Sequence, residues 1–231
     1  MDLSYTQGRE FVRQVRPILE RRDSQALIRY LQRYWPNRAL RGLLSCGHDD
    51  AVKLALVCLS LAGTMTDNRA VARLLDDDDT RTATLAENTL WSIWFRAGDD
   101  QANLRLVRAV HLIDRGRLDQ AIELLSRIIH CCPAFAEAYN QRAIACFLKS
   151  DYACSIENCK KALQLNAHHF GALACLGHAY TSLGHLYPAL EAYRRSLEVH
   201  PRLEGIRQSI HQIRQCIARL QPANHSPSTT A

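Results

Sequence analysis

Cysteines, histidines and carboxylates are the residues of this chain that could bind a metal ion. The sequence has nine cysteines and ten histidines, and His168 and His169 lie near several of the cysteines. A zinc site needs its ligands at a spacing that brings them together. Cys154, Cys159 and Cys175 instead fall on separate turns and faces of helices. We therefore interpret the cysteines as core residues and predict no metal site, an interpretation that stoichiometric zinc in a metal assay would contradict.

The acidic run from Asp76 to Asp79 does not have the pattern of a cation site. Four consecutive carboxylates cannot all face one ion, and no glycine-punctuated calcium loop surrounds them. Asp79 directly precedes a helical pattern, where a carboxylate accepts free backbone N–H groups and interacts well with the helix dipole. We predict that Asp79 caps a helix.

No catalytic or cofactor-binding motif occurs in the sequence, which contains no phosphate-binding loop, no GxSxG and no HExxH. We predict that the protein is not an enzyme and uses no cofactor. The N-terminus lacks the pattern of a signal peptide, and no apolar run approaches the ~18 residues of a membrane span. Because the cysteine number is odd and no CxxC occurs, we predict reduced thiols in a cytoplasmic protein with no membrane partner.

A repeat of 34 residues predicts the elements that position these side chains. Pro133 and Pro201 lie two repeats apart, with Ala167 midway between them. The same spacing relates Gly116, Ser150 and Gly184, then Ala121, Ser155 and Ala189, and also Ala109, Ala143 and Gly177. Glycine tolerates the positive φ that follows many helices, and proline cannot continue a helix. The pattern predicts three helical hairpins, at 102–135, 136–169 and 170–203, which must stack to bury their apolar faces.

This repeat resembles the tetratricopeptide repeat family. The middle copy reads AEAYNQRAIACFLKSDYACSIENCKKALQLNAHH, and the third contains LACLGHAYTSLGH and ALEAYRRSLEVHP. The first copy has Arg105 where the family has a large apolar residue, but Leu112, Ala121, Leu125 and Pro133 keep the register. The resemblance implies a stacked helical scaffold whose concave groove binds a protein or peptide partner.

The resemblance also implies which residues bind the partner, because the family binds peptides mainly on the inner face of the first helices. The residues at those positions are Leu106, Val110, Ile113 and Asp114 in the first copy, Glu137, Asn140, Gln141, Ile144, Phe147 and Leu148 in the second, and Ala174, Cys175, His178, Thr181 and Ser182 in the third. The amides of Asn140 and Gln141 could pair with both backbone groups of an extended peptide, or they could be plain solvated surface.

Family members that bind the C-terminal carboxylate of a chaperone use Lys, Arg and Asn at defined inner positions. The matching positions of this chain are Leu106, Val110, Gln141, Gly171 and Cys175. None of them carries a cation that could hold a carboxylate. We predict that chaperone tails do not bind.

The first hundred residues contain a weaker repeat, in which residues 36–63 align with 67–94 at an offset of 31. Each unit is a short helix, an acidic turn and a longer apolar helix, a pattern similar to the HEAT repeat family. Only Gly98, Asp99 and Asp100 separate the two repeat types. A joint this short predicts one continuous superhelix rather than two tethered domains.

The segment after Pro201 predicts one amphipathic helix. Its apolar stripe is Leu203, Ile206, Ile210, Ile213, Ile217 and Leu220. One such stripe suits a helix that caps the open end of a stack, although it could also pair with another chain. The polar residues beyond it predict a disordered tail at 221–231.

We therefore predict an all-α protein, a right-handed α-solenoid of antiparallel helix pairs. Residues 1–99 form its HEAT-like region, and residues 100–220 form the tetratricopeptide region, with hairpins 102–135, 136–169 and 170–203 and a capping helix at 204–220. The predicted function is a non-catalytic scaffold or adaptor that binds a peptide or partner helix in the groove.

The alternative function is binding of the nucleic-acid backbone. Residues 1–42 contain nine arginines against four acidic residues, and the net charge of the chain is +6. Neutralisation of phosphates by arginine gives affinity without base-specific contacts. The candidate residues are Arg13, Arg16, Arg21, Arg22, Arg29 and Arg33.

Overall fold

The computed structural model describes residues 3–220, which are all-helical and include no strand. The start of the chain at Met1 and Asp2 and the predicted tail at 221–231 lie outside the described residues. The α-helices are α1 (Leu3–Glu20), α2 (Ser24–Tyr34), α3 (Asn37–Leu43), α4 (Asp49–Ala62), α5 (Asn68–Ala72), α6 (Thr80–Phe95), α7 (Asp100–Asp114), α8 (Leu118–Cys131), α9 (Ala136–Leu148), α10 (Tyr152–Leu165), α11 (Phe170–Ser182), α12 (Leu186–Val199) and α13 (Glu204–Leu220). The described helices stack into a solenoid, and none is long and apolar enough to cross a membrane.

Three hairpins, α7–α8, α9–α10 and α11–α12, occupy the region of the 34-residue repeat. Their turns have one geometry, because Gly116, Ser150 and Gly184 have φ values of 69°, 63° and 73°. In each turn the next residue donates its N–H to a carbonyl five residues back, over 2.8 to 2.9 Å. Positive φ with this bond satisfies free carbonyls at a helix end. The turns predicted from the spacing are confirmed.

Close approach of paired helices depends on the small residues of the repeat. Ala109 and Ala143 are completely buried. A Cβ atom at Gly177 of α11 would overlap the ring of Tyr193 on α12. The packing therefore excludes a larger side chain at this position.

The N-terminal region contains two further units, α3 with α4 and the α5 segment with α6. The α5 segment is extended by short 3-10 turns at Met65–Asp67 and Arg73–Asp76. Asp79 caps α6 by accepting the N–H of Arg81 over 3.2 Å, so its predicted capping role is confirmed. The ammonium of Lys53 lies 2.6 Å from this carboxylate, and these hydrogen bonds lower the pKa of Asp79 to about 2.

Helix α6 runs along the inter-repeat turns, which are residues 132–135, 166–169 and 200–203. Gly98, just after α6, lies against the ring of Phe135 in the first turn. Trp94 stacks on His169 at the second turn, with ring centroids 4.3 Å apart. At the third turn the guanidinium of Arg202 donates to the backbone carbonyl of Asp77, ahead of α6. A helix of 16 residues is about 24 Å long, enough to follow all three turns.

The stacking of neighbouring helices thus changes at this joint, and one continuous superhelix stays a prediction. In the described chain α6 does not pack alongside α7, although the two regions are in contact and are not separate domains on a tether. The residues at the corresponding packing positions also differ in size. The face of α9 that packs on the preceding helix carries Ala138 and Ala145, whereas the same positions of α7 hold the larger Leu104 and His111.

Helix α13 packs against α12 at the other end of the stack. Ile206, Ile210 and Ile213 are buried in one cluster with Tyr193, while Leu220 is 72% exposed. The amphipathic stripe thus faces the last hairpin over most of its length.

Candidate functional site

The residues predicted to bind a partner differ widely in exposure. Leu106, Glu137, Asn140, Gln141 and Cys175 are buried. Val110, Ile144, Phe147 and Ala174 are half-buried, and Leu148, His178 and Thr181 are exposed. On the inner face, the N-terminal parts of the first helices are therefore closed to solvent, and their C-terminal parts are open to it.

A hydrogen-bonded cluster around Glu137 fills the closed end. Its carboxylate accepts the amides of Asn140 over 3.1 Å and Gln141 over 2.7 Å, and it lies 2.7 Å from Nε2 of His169. Nδ1 of His169 accepts the N–H of Ala172 over 3.1 Å. The proton of a neutral His169 must therefore be on Nε2, which donates to Glu137.

This cluster occupies the amides that were predicted to pair with a peptide. Within the described structure Oδ1 of Asn140 is buried without a hydrogen-bond partner. Pairing of Asn140 and Gln141 with a partner stays a prediction, and it would require the covering elements to move.

The covering elements include α6, which packs against α9 and the start of α11. Trp91 and Trp94 both contact Phe170, with ring centroids 5.2 and 5.1 Å apart. Nε1 of Trp94 donates over 2.8 Å to Asn68, whose amide donates over 2.8 Å to Asn166. In a buried network of this kind, loss of one member leaves its partner without a hydrogen bond, and each unpaired buried polar group lowers the stability of the fold. The N-terminal region thus forms part of the wall of the inner face.

The solvent-exposed part of the inner face is lined by apolar and uncharged polar side chains. Phe147 lies between the rings of Tyr152 and His178, at centroid distances of 5.5 and 6.3 Å. Nδ1 of His178 is 2.7 Å from the hydroxyl of Tyr193, and desolvation lowers the pKa of His178. The lowered pKa favours the neutral imidazole, and which of the two groups donates in this hydrogen bond depends on the tautomer of the ring. The surface offers apolar contact and a hydrogen-bonding group but no fixed charge.

The positions that hold a carboxylate in chaperone-binding repeats carry no cation, as the sequence indicates. Three of them, Leu106, Gln141 and Cys175, are also buried. That chaperone tails do not bind stays a prediction.

Five of the nine cysteines, Cys46, Cys58, Cys146, Cys159 and Cys175, are buried as predicted, whereas Cys131 and Cys216 are exposed. Cys58 is buried, which raises the pKa of its thiol to about 12. Cys159 and Cys175 contact one another, and this contact together with burial raises the pKa of Cys159. No group of three or more potential ligands among the described residues could hold a metal ion.

One cysteine pair differs from the prediction. A disulfide joins Cys146 of α9 to Cys154 of α10. The expectation that every thiol is reduced is therefore wrong for this pair. Cys146 lies at a core position whose neighbour across the hairpin is also a cysteine, a proximity that sequence spacing alone does not reveal.

The arginines proposed for nucleic-acid binding lie on α1, α2 and the turn between them. Arg13 pairs with Glu10 over 2.6 Å, and Arg16 pairs with Asp50 over 2.8 Å. Arg21, Arg22, Arg29 and Arg33 are exposed. Because two of the six are already paired with carboxylates, the geometry does not favour this alternative.

Trp91, Trp94 and His169 are the residues that the sequence analysis missed. The sequence feature that indicates the two tryptophans is the run WSIWF at the end of α6, which contains more aromatic residues than one helical stripe requires. The run indicates a buried contact, but it does not indicate which surface is contacted.

Comparison with known proteins supports the repeat fold. No protein-family model matches the chain. A TPR repeat-containing protein of Rhizobium etli is 28% identical over 103 residues, which are 45% of this chain and 50% of that protein. The chain thus spans about half the length of this curated relative.

Two solved structures are similar to a little over half of the chain. The first TPR domain of Spaghetti (RPAP3), bound to the HSP90 peptide SRMEEVD, is 25% identical with a TM-score of 0.51, covering 52% of this chain and 97% of that one. The Sgt2 TPR domain from Aspergillus fumigatus is 17% identical with a TM-score of 0.52, covering 58% of this chain and 93% of that one. With the hairpin geometry, these likenesses support a tetratricopeptide repeat fold for the three hairpins.

Proposed function

We propose that this protein is a non-catalytic scaffold that binds a peptide or helix of a partner protein at the solvent-exposed part of the inner face. The observation that carries the proposal is the surface formed by Ile144, Phe147, Leu148, His178 and Thr181. It lies on the first helices of a tetratricopeptide fold, and Leu148 is 53% exposed. An exposed leucine beside half-buried aromatic rings is typical of the centre of a protein interface.

The chemistry of this surface favours a partner with apolar side chains. The similar Spaghetti domain is bound to an HSP90 peptide, which is acidic. The inner positions of this chain lack the cations that an acidic tail requires, and His178 is neutral near pH 7. We therefore propose an apolar segment as the ligand and not a chaperone C-terminus.

We also propose that the N-terminal region is HEAT-like and braces the repeats. Its two units at residues 36–94 each contain a short helix, an acidic turn and a longer helix, and α6 contacts the inter-repeat turns. The proposed boundary between the regions lies at residues 99–100, and the capping helix is 204–220. Cytoplasmic location is part of the same proposal.

The test is affinity purification from the native host with the double variant Leu148→Asp, His178→Ala. Both side chains are solvent-accessible, so the variant is expected to fold. Leu220→Asp is the matched control, because Leu220 is exposed on α13, away from the inner face. The proposal predicts a partner that binds the wild type and the control but not the double variant.

Titration calorimetry with that purified partner completes the test. We expect the double variant to weaken binding at least tenfold, since it places a charge in an apolar contact. Equal affinities for all three proteins would show that the partner binds elsewhere, and the proposal would then be wrong.

A further inference from the structure

The first hairpin exposes a face that the later hairpins bury. The third, seventh and tenth residues of the second copy are Ala138, Arg142 and Ala145. Ala138 and Ala145 belong to one buried cluster with Leu125 and Ile128 of the preceding α8. Arg142 also donates to Ser126 of α8 over 3.1 Å. This face of a first helix therefore packs against the second helix of the preceding hairpin.

Among residues 3–220, no preceding helix packs against the same face of α7. Its residues are Leu104, Arg108 and His111, with Val107 beside them. Leu104 is 68% exposed and Val107 is 47% exposed. They are exposed because α6 follows the inter-repeat turns and does not occupy the position that a preceding second helix fills in the later hairpins. We call this face, Leu104, Val107, Arg108 and His111, the open end.

A cleft between α7 and α8 adjoins the open end. Arg105 lies at the position where Tyr139 and Leu173 are buried in the later copies. Without a large apolar side chain there, a cavity of about 670 Å³ separates the two helices, and Leu124 and Cys131 line it. The first hairpin thus offers both an apolar ridge and an adjoining cleft.

Two arginines give the part of this surface beside the cleft a positive charge. Arg105 and Arg108 line the cleft, and neither belongs to a salt bridge among the described residues, although the charge of Arg105 helps to lower the pKa of Asp99. The nearest acidic lining residue, Glu123, is already paired with Arg127 over 2.5 Å. Two unpaired guanidinium groups beside exposed leucine and valine favour a ligand with apolar and acidic side chains.

We propose that the open end docks an acidic amphipathic helix of another protein, in the position that a preceding second helix fills in the later hairpins. Helix α8 shows the length required, since 14 residues span about 21 Å. The apolar stripe of the ligand covers Leu104 and Val107, and its flanking carboxylates pair with Arg105 and Arg108. This surface is separate from the inner face of the proposed function.

Charge argues against a second copy of the chain as the occupant. Two open ends facing one another would bring together the arginines of both copies. The opposite end of the stack is also basic, because α13 exposes Arg207, His211 and Arg214. Like charges at both ends disfavour stacking of copies in either orientation.

The test uses fluorescein-labelled synthetic peptides of about 18 residues, a length at which isolated helices become stable. The first has a leucine stripe flanked by glutamates, the second scrambles that sequence, and the third replaces the glutamates with lysines. Fluorescence anisotropy with the full chain is expected to show binding of the first peptide. We expect the scrambled and lysine peptides to bind at least tenfold more weakly.

Charge exchange makes the test specific. The double variant Arg105→Glu, Arg108→Glu is expected to lose at least tenfold in affinity for the glutamate peptide and to gain affinity for the lysine peptide. Leu104→Asp removes the apolar contact and should also weaken binding of the glutamate peptide tenfold. Circular dichroism confirms that these exposed substitutions leave the fold unchanged.

Three results would overturn the proposal. The first is equal binding of the designed and scrambled peptides, and the second is unchanged affinity in the open-end variants. The third is a dimer in sedimentation analysis that Leu104→Asp converts to monomer, because the occupant would then be a second copy. Leu148→Asp, a variant of the inner face, must leave the affinity unchanged, so the two proposals fail independently.

Discussion

Replacing Trp94 with alanine tests whether the N-terminal region and the repeats fold as one unit. Trp94 is buried at the point where α6 crosses the second inter-repeat turn. Its ring stacks on His169 and contacts Phe170, and its Nε1 donates to Asn68. Most of these contacts join groups that are more than seventy residues apart in the chain. The substitution therefore removes long-range contacts and leaves the hairpin turns intact.

The expected loss of stability is large. Truncating a buried tryptophan to alanine costs about 3–5 kcal/mol. Loss of the Nε1 donor leaves Oδ1 of Asn68 buried without this partner, which adds about 1–3 kcal/mol. Because neighbouring terms are not additive, we expect about 4–6 kcal/mol in total, a substantial part of the ~5–15 kcal/mol typical of a domain. Trp94→Phe keeps a ring and should cost less.

Two measurements check this expectation. Guanidinium unfolding, followed by far-UV circular dichroism, gives the change in the free energy of unfolding. Hydrogen exchange then locates the loss, which should appear in residues 166–173 as well as in α6, and not in α13. Leu104→Ala is the control, because Leu104 is an exposed apolar residue outside this contact.

The reasoning is refuted if Trp94→Ala costs less than ~1 kcal/mol in the free energy of unfolding. It is also refuted if exchange increases in α6 alone while residues 166–173 keep their protection. Either result would mean that α6 and the inter-repeat turns are stable without one another.

Three other predictions follow from local geometry and buried charge. Ser150→Gly should raise the free energy of unfolding by about 1 kcal/mol, and Gly184→Ala should lower it by a similar amount. The reason is that both positions have positive φ, which glycine adopts more readily than other residues. Denaturant unfolding measures both changes. Glu137→Ala should lower the free energy of unfolding by about 3–5 kcal/mol, since it leaves three buried donors without their acceptor. Glu137→Gln keeps an acceptor and should lower it less in the same assay. The pKa of Asp79 is lowered from 3.8 to about 2, so its stabilising effect is present above pH 3.8 and disappears as the pH falls through about 2. Acid titration should therefore show wild type and Asp79→Ala converging in stability near pH 2, and a constant difference between them would contradict this assignment.

The positions of the turns and helix caps could be predicted because they depend on neighbouring residues. Gly116 and Gly184 follow helix ends at the repeat spacing, and Ser150 occupies the same position with the same positive φ. Asp79 precedes a helical pattern and accepts a backbone N–H at its start. Steric and capping rules act over a few residues, so the sequence alone is sufficient for them.

The binding positions could be predicted only in part. The register located Phe147, His178 and Thr181 on the first helices, and these residues are accessible. It also indicated accessible amides at Asn140 and Gln141, but both are buried in the cluster around Glu137. Repeat register determines on which side of a helix a residue lies, yet it contains no information about a distant segment that covers that side.

The sequence by itself thus determined three stacked hairpins, their turns, and the amphipathic stripe of the last helix. Only the tertiary structure decided that α6 follows the inter-repeat turns, that it helps to close the start of the inner face, and that Leu104 remains exposed. The physical reason is the range of the interactions. Helices and turns arise from contacts between residues close in sequence, whereas the path of α6 depends on the fit between Trp91, Trp94 and a surface formed by residues about seventy positions later.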